Sequence, residues 1–540
     1  MDTLIFRQGL LLFFIATASS AVADEPIKLD DAEAAGVIIG EIRLDKHNVF
    51  DTDDPDEDNA LYRLLNRLHI VTRDNIVHKQ LLFSEGEPLV ARELRETERI
   101  LRRNTYLFDA SVTIDRVENG VADLTVMTRD VWTLIPDVSL SRSGGENSSR
   151  YGVEEANLLG NGQLIRLVRD ENVDRESTVF EFEDEHLGQS WTTLNLRFAD
   201  NSDGSLHQLI ARRPFIELDS RWAAGGSVID DDRRIALYRL GDEAAEFQRD
   251  MRYANVFRGW SAGIRDGWVR RFTLGAIYDE RRFGSVDEPS LPALVPENRK
   301  FVYPYIGFQL LEDRFEESSN SNAMGRTEDF FLGLRIDATL GYASESVGSD
   351  RDAWLIGIDG SKGFGSMESS ALLTRFSLSG RIEDGDSKNV LATASATWFH
   401  RQSERWLFFA SVSGVLGEEL DLDQPVQLGG DTGLRGYPLR YQNGPSKLLF
   451  TVEQRYFTDW YPWRFFRVGA AVFFDVGRSF GESPLGEDSA GWLKDVGIGL
   501  RLAPTRGGTK KIVHIDLAFP LDGDDSIDDV QILLEAKRSF

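Results

Sequence analysis

From Pro136 onward, apolar and polar residues alternate with period two in stretches of about ten residues. Leu332, Leu334, Ile336, Ala338 and Leu340 interleave with Gly333, Arg335, Asp337, Thr339 and Gly341. Leu194, Leu196 and Phe198 interleave with Asn195 and Arg197, and Val513, Ile515, Leu517, Phe519 and Leu521 with His514, Asp516 and Ala518. Successive side chains of a strand point to opposite faces, so each stretch predicts a strand with one apolar and one polar face. A soluble sandwich has the same period, but its strands run nearer five or six residues. Ten suits a tilted strand crossing a bilayer, where only helices and closed barrels satisfy their own backbone. No segment approaches the ~18 consecutive apolar residues of a membrane helix. The pattern predicts an all-β transmembrane antiparallel barrel over residues 137–540, with polar segments such as 286–299 and 316–329 as surface loops.

The N-terminus reads differently. Arg7 precedes the short apolar run Leu10–Ala16, and Ala21-Val22-Ala23 has the form of a signal-peptidase site. Residues 1–23 are therefore expected to be a signal peptide, with 24–35 a short linker and the mature chain starting at Asp24. The chain has no cysteine, which excludes disulfides and thiolate metal sites. The formal net charge of -28 argues against nucleic acid as a partner, since it would repel phosphate.

Residues 36–136 mix helix and strand. Val37, Ile39 and Ile42 mark a first strand. The acidic stretch Asp51–Asp58 is expected to cap an amphipathic helix carrying Leu61, Leu64, Leu65 and Leu68. A second helix from Pro88 to Arg103 turns Leu89, Leu94 and Leu101 inward, and strands follow around Ala110–Ile114 and Val121–Met127. This β-α-α-β-β order, with Phe83–Leu89 before the second helix and Tyr106–Asp109 before the second strand, resembles a POTRA domain. The resemblance implies a small α+β periplasmic module that captures extended client segments by adding them to a sheet edge.

Two further segments carry a resemblance. Leu428-Gly429-Gly430-Asp431-Thr432-Gly433-Leu434-Arg435-Gly436-Tyr437-Pro438 resembles the lumenal loop of the BamA/TamA superfamily (bacterial surface antigen family), and Phe473-Phe474-Asp475-Val476-Gly477 resembles its F-x-D-x-G strand motif. The resemblance implies that Arg435, Gly436 and Tyr437 fold back into the lumen, where the strand of Phe473, Asp475 and Gly477 holds the arginine. Alternation places these last three on one strand face, and Glu453 with Arg455 on the lumenal face of the strand before, making Glu453 a second acceptor. The resemblance also implies sixteen strands. Five candidates follow the loop, beginning near Leu448, Phe465, Lys494, Ile512 and Val530. Upstream the alternation offers roughly fourteen to sixteen where sixteen in total would need eleven, so either some of these are split strands or long hairpins or the barrel is larger. Val530, Ile532, Leu534, Ala536 and the final Phe540 share the apolar face of the last strand, the place of an aromatic girdle.

Enzymatic readings find little support. Gly259-Trp260-Ser261-Ala262-Gly263 matches a nucleophile elbow, but that motif needs a strand, a sharp turn and a helix, and this one lies within strand alternation. Asp51–Asp56 lacks the glycine of a calcium loop, and Leu159-Gly160-Asn161-Gly162 lacks the Gly-Lys-Ser/Thr that completes a phosphate loop. No catalytic residue, metal or cofactor is expected. The resemblance implies a bacterial outer-membrane transporter that inserts or exports proteins. Its partners would be the outer-membrane bilayer, unfolded or partially folded clients, and periplasmic chaperones or accessory subunits. A passive pore or structural barrel without a client is the alternative.

Overall fold

The computed structural model describes residues 28–286, 294–486, 489–508, 510–523 and 527–540. The expected signal peptide and its Ala21-Val22-Ala23 site lie outside the described residues. Twenty antiparallel strands close into one barrel, each paired with its neighbours in chain order. The first barrel strand, Leu134–Ser143, meets the last, Gln531–Lys537. Alternation is visible along the wall. In Phe466–Phe480, Phe473, Asp475 and Ser479 are buried inward while Val472 and Phe474 stand exposed on the outer face.

This corrects the expected strand number. Fifteen of the twenty strands precede the segment 419–445 and five follow it. Sixteen came from the family resemblance, whereas the alternation upstream is made of full strands. Among them, Trp222–Arg239, Asp242–Arg265 and Trp268–Ser285 run to 18, 24 and 18 residues.

The N-terminal unit is corrected as well. Strands Ile38–His47, Val121–Asp130 and Leu107–Glu118 form a three-stranded sheet in that spatial order, the first pair parallel and the second antiparallel. Helix Ala91–Arg103 covers it, and Leu89, Leu94 and Leu101 are buried with Val112, Leu124 and Val126. A free-standing POTRA domain is not evident, because the unit is seated on one rim of the barrel. Glu57 pairs with Arg506, Arg102 with Glu317 and Asp329, and the Tyr62 hydroxyl donates to the Trp463 carbonyl at 2.6 Å. Helix Ala60–Leu68 is capped by Asn59, not by the acidic stretch, and Leu61, Leu64 and Leu68 are exposed. We call the rim beneath this unit proximal and the opposite rim distal.

A twenty-stranded barrel is too wide for side chains alone to fill, and segments from both ends enter the lumen. Segment 419–445 enters from the distal end. From the proximal end comes segment 313–334, in which Phe315–Ser318 pairs with Glu328–Phe331. It is therefore not the free surface loop that its polarity predicts. Its Ser321 carbonyl accepts from Arg455 at 2.9 Å, and Met324 and Phe330 pack with Phe399, Leu407 and Phe457. Phe540 also departs from expectation. The last strand ends at Lys537, and Phe540 turns inward, 3% exposed, against Phe457 and beneath the Arg455 and Arg501 guanidinium groups.

Candidate functional site

Segment 419–445 leaves and re-enters the wall between strands Trp406–Glu418 and Ser446–Phe457. A two-residue bridge, Gln427 with Asn443 and Leu428 with Gln442, pinches it into a loop. Within the pinch, Leu428, Leu434, Tyr437 and Tyr441 pack on Leu493 into a small apolar knot. The Tyr437 hydroxyl donates to the carbonyls of Lys494 at 2.7 Å and Asp522 at 3.1 Å. This fixes the tip and aims the next side chain, Arg435, at the wall.

Arg435 meets Asp475 through two nitrogens, Nε to Oδ2 at 2.6 Å and Nη2 to Oδ1 at 2.9 Å. Its Nη1 donates to Glu453 Oε1 at 2.8 Å, and its guanidinium lies 3.5 Å above the Phe473 ring. The fork of an arginine matches a carboxylate in this two-point geometry. Thr451 donates to Asp475 Oδ1 at 2.7 Å, and Arg455 Nε to Glu453 Oε2 at 2.8 Å. Each carboxylate is thus held from a second side, as buried charges require. Gly436 permits the approach. Its N–H donates to Asp495 Oδ2 at 3.0 Å, and a Cβ there would crowd the Asp495 side chain and the Pro520 nitrogen. Gly477 lies farther along the same face, next to Leu428 and Leu449 of the knot.

Three lumenal residues at the site had not been singled out. Asp495 stands opposite Asp475 in the ladder, a like-charge juxtaposition that would be destabilising alone. The Arg435 side chain and the Gly436 N–H offset it. Arg501 pairs with Asp516, both fully buried, and Gly499 leaves the room their contact occupies. The same alternation that marks Asp475 carries Asp495 and Arg501 on one strand and His514 and Asp516 on the next. These positions were visible as lumenal but not as partners.

Elsewhere, Ser261 lies within the ladder opposite Arg271, its hydroxyl donating to the Arg270 carbonyl at 2.9 Å. Its strand runs on to Arg265 and the next element is another strand, Trp268–Ser285, so the strand–turn–helix context of an elbow is not met. Among the described residues, no group of three His, Asp or Glu side chains is arranged to hold a metal.

No family model matches the sequence, and no curated protein matches it. In fold the chain is similar to several solved structures. It aligns with BamA from Haemophilus ducreyi lacking POTRA domains 1–3 at 13% identity and TM-score 0.38, over 92% of this chain and 84% of that one. It aligns with CdiB from Escherichia coli at 11% identity and TM-score 0.46, over 92% and 76%. It also aligns with an FrpB iron transporter from Neisseria meningitidis at 9% identity and TM-score 0.39, over 91% and 92%.

Proposed function

We propose that this chain is an outer-membrane barrel of the BamA/TamA-like superfamily that inserts or exports client proteins, with its proximal end and N-terminal unit in the periplasm. Residues 1–23 act as the export signal, 24–35 as a linker, 36–136 as the N-terminal unit and 137–540 as the barrel. The observation that carries the reading is the tether of Arg435 to Asp475 and Glu453. A loop drawn into the lumen and fixed to one wall serves a barrel whose wall must be held while it works. A passive pore needs an open lumen, and segments 313–334 and 419–445 occupy this one.

The wall offers a route. First and last strands register at the single pair Arg142 with Leu534, whereas the last strand holds its other neighbour over seven pairs and the first over ten. Unpaired backbone on a strand edge is a template for another strand. A client reaching this seam past the N-terminal unit would find one.

Depletion followed by quantitative proteomics of the outer membrane tests the reading. Loss of several barrel proteins identifies an insertase, and loss of one secreted protein a dedicated exporter. An unchanged protein content together with altered uptake of small solutes would overturn it in favour of a pore.

A further inference from the structure

At the proximal end of the lumen, walled by helix Ala91–Arg103, segment 313–334 and the barrel, lies a cavity of about 830 Å³. Ten of its lining residues are Lys or Arg and four are Asp or Glu, in a chain with 61 basic and 89 acidic residues. Three of the four acids are engaged. Asp329 binds Arg102, Glu96 binds Arg92 and the Leu218 N–H, and Glu328 accepts from the Ser321 and Asn322 N–H groups.

Four of the cations, Arg99, Arg271, Arg326 and Lys510, are held by neutral partners. Arg99 lies over the Phe315 ring at 4.2 Å, Arg271 over Phe215 at 4.6 Å and Arg326 over Phe108 at 4.8 Å. Arg326 donates to the carbonyls of Leu107 and Phe108, Arg271 to Gln309 and the Glu217 carbonyl, and Lys510 to the carbonyls of Arg102 and Arg103. None of these three forms an ion pair among the described residues, and Arg326 Nη1 and Arg271 Nε are buried without a hydrogen-bond partner. Withdrawal from water, then the charge of Arg326, brings the Lys510 ammonium down to about 8. Preorganised cations stacked on aromatic rings, with donors still open, suit a ligand bearing a compact multiple negative charge.

The cavity also has a route to the bilayer. Arg103, Pro504, Lys510, Lys511 and Arg538 line both it and a second space of about 580 Å³, which reaches Val138 and Ala536 on the two seam strands. We propose that the cavity binds a phosphate group, carried by the headgroup of a phospholipid entering at the seam or by free phosphate. Arg271, Arg326 and Lys510 supply the positive charge, and the phenylalanines receive the glycerol and the start of the acyl chains. From the functional reading the lipid source takes only the membrane placement, and the test below does not depend on client transport.

The full-length protein, purified in maltoside, is treated with an amine-acetylating reagent at pH 8, and Lys510 acetylation is read by mass spectrometry. The probes are dihexanoyl phosphatidic acid, inorganic phosphate and uncharged dihexanoylglycerol. Phosphatidic acid should slow Lys510 acetylation about tenfold, and the neutral glyceride should not. Arg271→Gln with Arg326→Gln should raise the concentration needed at least tenfold, since a hydrogen bond to a charged group is worth about one to two decades of affinity. The folded state of that variant is checked by its heat-dependent gel shift. Protection by phosphatidic acid at lower concentration than by phosphate assigns the site to a lipid headgroup. Equal protection assigns it to free phosphate. No protection by either, or equal protection by the neutral glyceride, overturns the proposal.

Discussion

Arg435 reaches three carboxylate oxygens at once, so its removal would leave Asp475 and Glu453 side by side on adjacent strands with their shared partner gone. Breaking a buried pair from one side costs about 3–5 kcal/mol, less where water enters. Arg435→Ala should loosen segment 419–445 to added protease and lower client levels in the outer membrane, while the heat-dependent gel shift of the barrel persists. Arg435→Asp with Asp475→Arg should recover part of that loss, and strictly additive effects would count against a pairwise tether. Phe540 gives a second residue-scale prediction. Enclosed against Phe457 and Arg455, it should cost about 3–5 kcal/mol on replacement by Ala, seen as a lower temperature for the gel shift, whereas a lipid-facing ring would change it little. The strand face of Phe473, Asp475 and Gly477 could be read from alternation. The inward turn of Phe540 could not, because it follows the last strand residue, Lys537, where period two no longer governs direction.

Among the elements, segment 313–334 and helix Ala91–Arg103 are joined through Arg102, which binds Glu317 and Asp329. Glu98, one turn earlier, accepts from the Val112 N–H at 2.7 Å, and burial pushes its carboxyl up to about 7. A carboxyl raised in the folded state contributes stability that is present below its unfolded value, near 4.5, and lost as pH rises through 7. The N-terminal unit should therefore lose a few kcal/mol between pH about 4.5 and 8. Glu98→Gln should flatten that dependence, measured by amide hydrogen exchange in Leu107–Glu118. An unchanged slope would remove Glu98 as its source. The placement of segment 313–334 was illegible for a chemical reason. Serines and asparagines that would suit a solvated loop suit equally a plug whose carbonyls and hydroxyls satisfy Arg401 and Arg455.

For the whole molecule, the strand total was legible only where the residues were allowed to count. The alternation upstream of segment 419–445 carries the barrel beyond sixteen, and the resemblance held the number down. Closure is weakest at the seam, and a chain without cysteine allows a clean test. Arg142→Cys with Leu534→Cys should, once oxidised, stop client insertion. Leu140→Cys with Ser149→Cys, across the adjacent ladder, should not. Loss of activity with both pairs would mean that rigidity anywhere, and not the seam, is what matters. The seam is also the short side of the wall. Its strands have seven and ten residues, against 24 in Asp242–Arg265. Seven residues at ~3.4 Å each, tilted by ~40°, rise only about 18 Å, less than the ~25 Å apolar band of an outer-membrane barrel. A bilayer meeting that edge must thin, at a fraction of a kcal/mol per Å, and lipids there are already partly disordered before anything crosses. Lengthening the acyl chains of the surrounding bilayer would then slow whatever passes at the seam, and the tall opposite wall would not register the change.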